Sequence, residues 1–168
     1  MSCGLIPENE LSLTAGVKLN PVTNGPFVDD RLETNVPGVF ACGNVLHVHD
    51  LVDFVSEEAE RAGASAARYL SGSAEKSAGG AIEIVPGAGV RYTVPSTVDP
   101  VRCDDLIHLR FRVRDVYKSC EIVVSADGKT ILSKKKRITV PSEMEDVILK
   151  KKDLVGVTGP VTVSIAGV

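Results

Sequence analysis

The spacing of hydrophobic and polar positions changes once along the chain. From Asp53 to Leu70 it is helical. Val52, Val55, Ala59, Ala62, Gly63, Ala66 and Leu70 recur at three- and four-residue steps, while Glu57, Glu58, Glu60, Arg61 and Arg68 fall mainly elsewhere. This predicts an amphipathic helix, capped by Asp50 or Asp53 at its start, with Gly72 just past its end. Its inward face would consist of small residues, which let a helix approach a neighbour closely. From Ala81 onward the period drops to two. Ile107, Leu109, Phe111 and Val113 alternate with His108, Arg110, Arg112 and Arg114, as in an antiparallel strand with one buried face.

Other short alternating runs follow the same rule: Ala81 to Val85, Gly89 to Val94, Ser119 to Ala126, Lys129 to Ser133, Ile138 to Val140, Asp146 to Leu149 and Val161 to Ile165. Pro86-Gly87 is a turn signal, and Asp127-Gly128 a hairpin signal. Gly87-Ala88-Gly89 has the first two glycines of a dinucleotide fingerprint, but strand rather than helix follows, so it reads as a turn. The expected architecture is an immunoglobulin-like antiparallel β-sandwich over residues 81–168. The chain has no Trp, so any likeness lies in architecture and not in a Cys–Trp–Cys signature.

The first half reads differently. Residues 1–16 are loop and turn. Val17 to Leu19 and Phe27 to Val28 flank Asn24-Gly25, a strong hairpin dipeptide. Pro37-Gly38 then turns the chain into a short apolar strand, Val39 to Cys42. Residues 73–80 are small, polar and glycine-rich, and are expected to be a linker. The fold class is therefore α+β, with residues 1–72 as one unit and 81–168 as the other.

Charge supports the division. Residues 1–72 hold four Lys/Arg against ten Asp/Glu, a net −6, and residues 73–168 hold fifteen against twelve, a net +3. That asymmetry is too mild for a nucleic-acid partner. No apolar run approaches the ~20 residues of a membrane span, and no signal core opens the chain, so a cytoplasmic location is expected. Cys3, Cys42, Cys103 and Cys120 form no Cys-x-x-Cys pair, so they are expected to be reduced and mostly buried. The basic runs Lys134 to Arg137 and Lys150 to Lys152 suit exposed strand ends and edge protection, or docking of an acidic surface.

The candidate chemistry lies between Thr34 and Asp53. A strand ending in glycine shortly before a helix is where α/β folds bind ligands. Thr34, Pro37-Gly38-Val39-Phe40 and Ala41-Cys42-Gly43-Asn44 resemble the second flavin-binding signature of the two-dinucleotide-fold flavoproteins, such as thioredoxin reductase and the pyridine nucleotide-disulfide oxidoreductases. Gly4 to Leu11 resembles the segment that returns to the flavin domain in that family, and Arg61 to Leu70 its terminal helix.

The resemblance spans about residues 3–72 and implies a Rossmann-like, partial FAD-binding segment with a β-hairpin and a terminal helix. It places Gly43 and Asn44 at the flavin ribityl chain, and the N–H groups of Leu51, Val52 and Asp53 at the pyrimidine edge. Asn44 stands where the family has aspartate; its carbonyl accepts the same bond without charge. A helix N-terminus there stabilises the anion of reduced flavin. The carboxylates of Asp50 and Asp53 would repel it, so capping is their expected role.

His47-Val48-His49-Asp50 puts two imidazoles and a carboxylate close together. The spacing lacks the usual further partners for zinc, and no metal is expected. A loop beside the flavin, with a histidine able to move protons, suits the resemblance better.

The sequence contains no Gly-x-Gly-x-x-Gly unit, nicotinamide domain or redox cysteine pair. It is therefore expected to be the carboxy-terminal portion of an FAD-dependent, NAD(P)H-linked oxidoreductase, unable to bind FAD well or to turn over alone. Its partners would be the missing FAD and NAD(P) domains or a companion flavoprotein subunit, as in enzymes of the sarcosine oxidase type, and self-association is expected. The alternative is a non-catalytic docking module built on the β-sandwich.

Overall fold

A computed structural model describes residues 5–72 and 80–167. The chain divides into two compact units, residues 1–76 and 77–168. Together they make a mixed α+β structure dominated by strands. The expected linker at 73–80 lies outside the described residues except for Gly80, as does Cys3. Among the described residues no helix is long and apolar enough to cross a membrane.

Among its described residues the first unit has little regular structure besides one long helix. A five-residue helix, α1 (Glu10–Thr14), stands where only loop is expected. None of its residues is buried, and Leu11 is 84% exposed, so it leaves no hydrophobic period to read. Asn9 holds it in place instead. Its amide donates to the carbonyls of Asn24 and Val45, both at 2.8 Å, and its carbonyl accepts from Ser12 Oγ.

The predicted hairpin is reduced to isolated bridges, Leu19 with Pro26 and Val28 with Thr34. The expected strand at 39–42 is likewise a single bridge, Glu33 with Phe40. The Asn24-Gly25 turn itself forms, with Asn24 in the left-handed region at φ 58°. Gly25 is required for packing, since a Cβ there would lie 1.6 Å from the Leu46 carbonyl oxygen.

The long helix, α2, runs Val52–Leu70. Its N-cap residue is Leu51, whose side chain makes no capping bond, and Asp53 lies in the first turn. The predicted face is offset. The buried positions are Glu58, Ala62 and Ser65, while Val52 and Leu70 are 74% and 84% exposed.

The described residues of the second unit form eight strands: β1 (Ile82–Pro86), β2 (Val90–Val94), β3 (Thr97–Val98), β4 (Leu106–Val113), β5 (Tyr117–Ala126), β6 (Lys129–Thr139), β7 (Glu145–Lys150) and β8 (Val161–Ala166). They form a five-stranded sheet, β3-β1-β8-β5-β6, and a three-stranded sheet, β2-β4-β7. Residues from both sheets share one apolar core centred on Ile107, Leu109, Phe111, Ile122, Val124 and Val163. Burying such alternate positions on both sheets is what drives the unit together.

Three details depart from the sequence pattern. β1 pairs with β8 in parallel, so the unit is not wholly antiparallel. The strands expected at 129–133 and 138–140 are one strand, because β5 pairs along the whole of β6. Arg110, placed on the wet face by alternation, is 1% exposed. Its Nε lies 3.5 Å from Asp146 Oδ2, which also contacts His108 Nδ1 at 2.9 Å. The basic run on β6 is partly engaged as well. Lys136 pairs with the buried Glu145 of β7 at 2.9 Å, and Lys134 donates to the Asp146 carbonyl at 3.3 Å, so both lysines tie the edges of the two sheets.

Candidate functional site

The loop between Cys42 and α2 is built around a glycine. Cys42 is extended, and Gly43 turns with φ 70°, in the region that favours glycine. A 3-10 turn, Gly43–Val45, follows. The Gly43 carbonyl accepts from the N–H groups of Leu46 and His47 at 2.9 and 3.2 Å. Leu46 is fully buried and anchors the loop from below. The chain then runs past His47 and His49 to Leu51 and enters α2.

Glu58, in the second turn of α2, reaches back into this loop. Its Oε2 accepts from the Gly43 N–H at 2.7 Å and lies 2.9 Å from His49 Nε2. Its Oε1 lies 3.2 Å from His47 Nε2. The two imidazole rings are 4.4 Å apart, edge to face. All three residues are buried: Glu58 and His47 are 1% exposed and His49 8%. His49 Nδ1 is buried with no hydrogen-bond partner among the described residues.

A buried carboxylate is costly unless its oxygens are met by donors. Burial alone pushes the Glu58 carboxyl upward. Hydrogen bonds from His47 and His49, with their charge, outweigh it and hold the group well below the usual glutamate range. Burial pushes the Cys42 thiol up, and the negative charge of Glu58 adds to that. Cys42 is therefore a poor nucleophile.

The residues expected to face a cofactor divide by burial. Gly43 is buried and its N–H is committed to Glu58. Asn44 is exposed, and its side-chain carbonyl accepts from the His49 N–H at 3.1 Å, a local bond that stiffens the loop. Leu51 and Val52 are 56% and 74% exposed, and Asp53 is also exposed. Gly43 and α2 meet directly, since a Cβ on Gly43 would lie 3.3 Å from Val55 Cγ1.

Glu58 is the residue that sequence reasoning missed. A signal was there: it lies three residues after Val55 and four before Ala62, on the apolar stripe. Its charge assigned it to solvent. With two histidines just upstream, a carboxylate at a stripe position marks a buried polar cluster. His47, His49 and Glu58 offer ligand atoms that all lie within 4.8 Å of one another.

No protein-family model matches the chain, and no curated protein and no solved structure matches it.

Proposed function

We propose that residues 1–72 are the carboxy-terminal part of a Rossmann-like FAD-binding domain and supply one wall of a flavin site in an NAD(P)H-linked oxidoreductase. Asn44 faces the ribityl hydroxyls, and the first-turn N–H groups of α2, at Leu51, Val52 and Asp53, face the pyrimidine edge. The observation that carries this is local. The stretch with the Thr34 to Asn44 motif folds into a glycine turn followed by a helix start, held to that helix by Glu58. The cofactor-facing candidates other than Gly43 are exposed along it. A helix N-terminus attracts an anion such as reduced flavin.

The remaining walls, and the NAD(P) site, belong to other domains or to a companion flavoprotein subunit. The second unit is an immunoglobulin-like sandwich in this proposal, supported by two sheets that share one core. The free cysteines Cys42, Cys103 and Cys120 suit a reducing compartment such as the cytoplasm. The open edge of β6, with Lys135 and Arg137 exposed, favours a docking role for the strand-rich unit towards an acidic partner. Association that ignores salt would remove that role.

Saturation-transfer NMR on the full chain tests the flavin wall even at weak affinity. Riboflavin and FAD should both receive saturation on their ribityl and ring protons, and ADP should receive none. Equal transfer to ADP, or none to riboflavin, would overturn the proposal.

A further inference from the structure

We infer that His47, His49 and Glu58 form a binding site for one divalent transition-metal ion, zinc by its ligand chemistry. The inference is independent of the flavin proposal: an ion would bind whether or not the loop faces a cofactor.

The donor set comes first. Two imidazoles and one carboxylate are a recurring set for zinc and for ferrous iron, with further positions left to water or substrate. Sequence spacing alone gives only the two histidines, with one residue between them. The fold supplies the third ligand from α2, on a different element, as a compact site requires.

The spacing comes second. Zinc bonds to nitrogen and oxygen are about 2.0–2.2 Å, so donors around a tetrahedral ion sit roughly 3.3 Å apart. Here Nε2 of His47 is 3.2 Å from Oε1, and Nε2 of His49 is 2.9 Å from Oε2. One donor from each of the three residues lies within 4.8 Å of the others, so side-chain movement draws the set together as the ion replaces the protons that now lie between these atoms.

The support around the ligands comes third. The Gly43 N–H fixes the carboxylate through Oε2, an orienting contact of the kind metal ligands use. Both histidines are held on a loop pinned by buried Leu46 and by the Asn44 side chain. Surface clusters of acidic and histidine residues lack such support. In the metal-free protein the same atoms form a hydrogen-bonded knot, with both imidazoles donating from Nε2. Metal binding exchanges those protons for the ion and must weaken as pH falls.

The test uses the full chain, stripped with chelator and titrated with Co²⁺. One equivalent should produce the visible absorption of a four- or five-coordinate cobalt centre, and one equivalent of Zn²⁺ should bleach it. Glu58→Gln, His47→Gln and His49→Gln should each weaken binding at least tenfold. His108→Gln removes the one histidine outside the cluster and should leave binding unchanged. If Glu58→Gln unfolds the loop, paramagnetic shifts of the His47 and His49 imidazole signals in the wild-type chain decide the matter. A folded wild-type chain with no cobalt band and unshifted histidines would overturn the inference. So would a band lost in His108→Gln and kept in the other three variants.

Discussion

The two units solve the same problem with different chemistry. The strand-rich unit is dominated by a large apolar core, from Ile82 to Ile165, with Thr93, Asp99, Arg110, Thr139 and Glu145 as buried polar exceptions among the described residues. Among the described residues the first unit buries seven apolar side chains, Val17, Pro26, Val28, Leu32, Ala41, Leu46 and Ala62, against six polar ones, Asn9, Asp30, His47, His49, Glu58 and Ser65. With apolar and polar burial nearly matched, its loops depend on particular hydrogen bonds. An apolar core tolerates a changed side chain according to the volume lost. A polar knot fails when one partner goes, because the others are stranded out of water.

The largest expected effect belongs to the apolar unit. Phe111→Ala empties a fully buried position and should cost about 3–5 kcal/mol. Hydrogen exchange followed residue by residue should show faster exchange in β2, β4, β5 and β8, and no change around Gly43. Loss of protection in both units at once would break the comparison.

Glu58→Ala should come close behind, at roughly 3 kcal/mol, and confined to the first unit. It strands the Gly43 N–H and both imidazoles. Exchange should rise at residues 43–51 and in the first half of α2. Acid does the same by degrees. The folded carboxyl lies below its ordinary value of 4.5, so its contribution is present above that pH and fades as pH falls from there toward the folded value. Asp146 has the same sign: burial opposes the shift, and His108 and Arg110 outweigh it. Its ordinary value is 3.8 against 4.5 for Glu58, so the first unit should begin to lose stability sooner as pH falls in an acid titration of the amide signals.

Gly25→Ala sharpens the contrast from the packing side. The added methyl meets the Leu46 carbonyl, a backbone atom that cannot rotate away. About 2 kcal/mol of overpacking should appear in the first unit on denaturant titration, with chemical-shift changes reaching His47. The smallest effect is at the sheet edge. Lys136→Ala leaves Glu145 without its partner and should cost about 1 kcal/mol, since the lysine is partly solvated.

Legibility followed the same division. Strand alternation at Ile107, Leu109, Phe111 and Val113 was readable because apolar burial writes a period into the sequence. The polar run Lys134 to Arg137 hid the continuity of β6, because an edge strand keeps its ladder on one side whatever its side chains are. In the first unit, α2 was readable as a helix but its face was not. Exposed Val52 and Leu70 matched the apolar period, and Glu58 was assigned to solvent by its charge. The two histidines drew attention as a pair, while their common partner lay nine residues further on, reached only by folding the helix back along the loop. α1 left no trace, being fixed by Asn9 and not by burial.

The flavin wall is the central claim, and an amide map tests it most directly. The full chain, isotope-labelled, would be titrated with FAD and, separately, with ADP. Shifts centred on Asn44, Leu51, Val52 and Asp53 are expected with FAD, none there with ADP, and their loss in Asn44→Ala. Shifts confined to the strand-rich unit, or the same pattern with ADP, would contradict it.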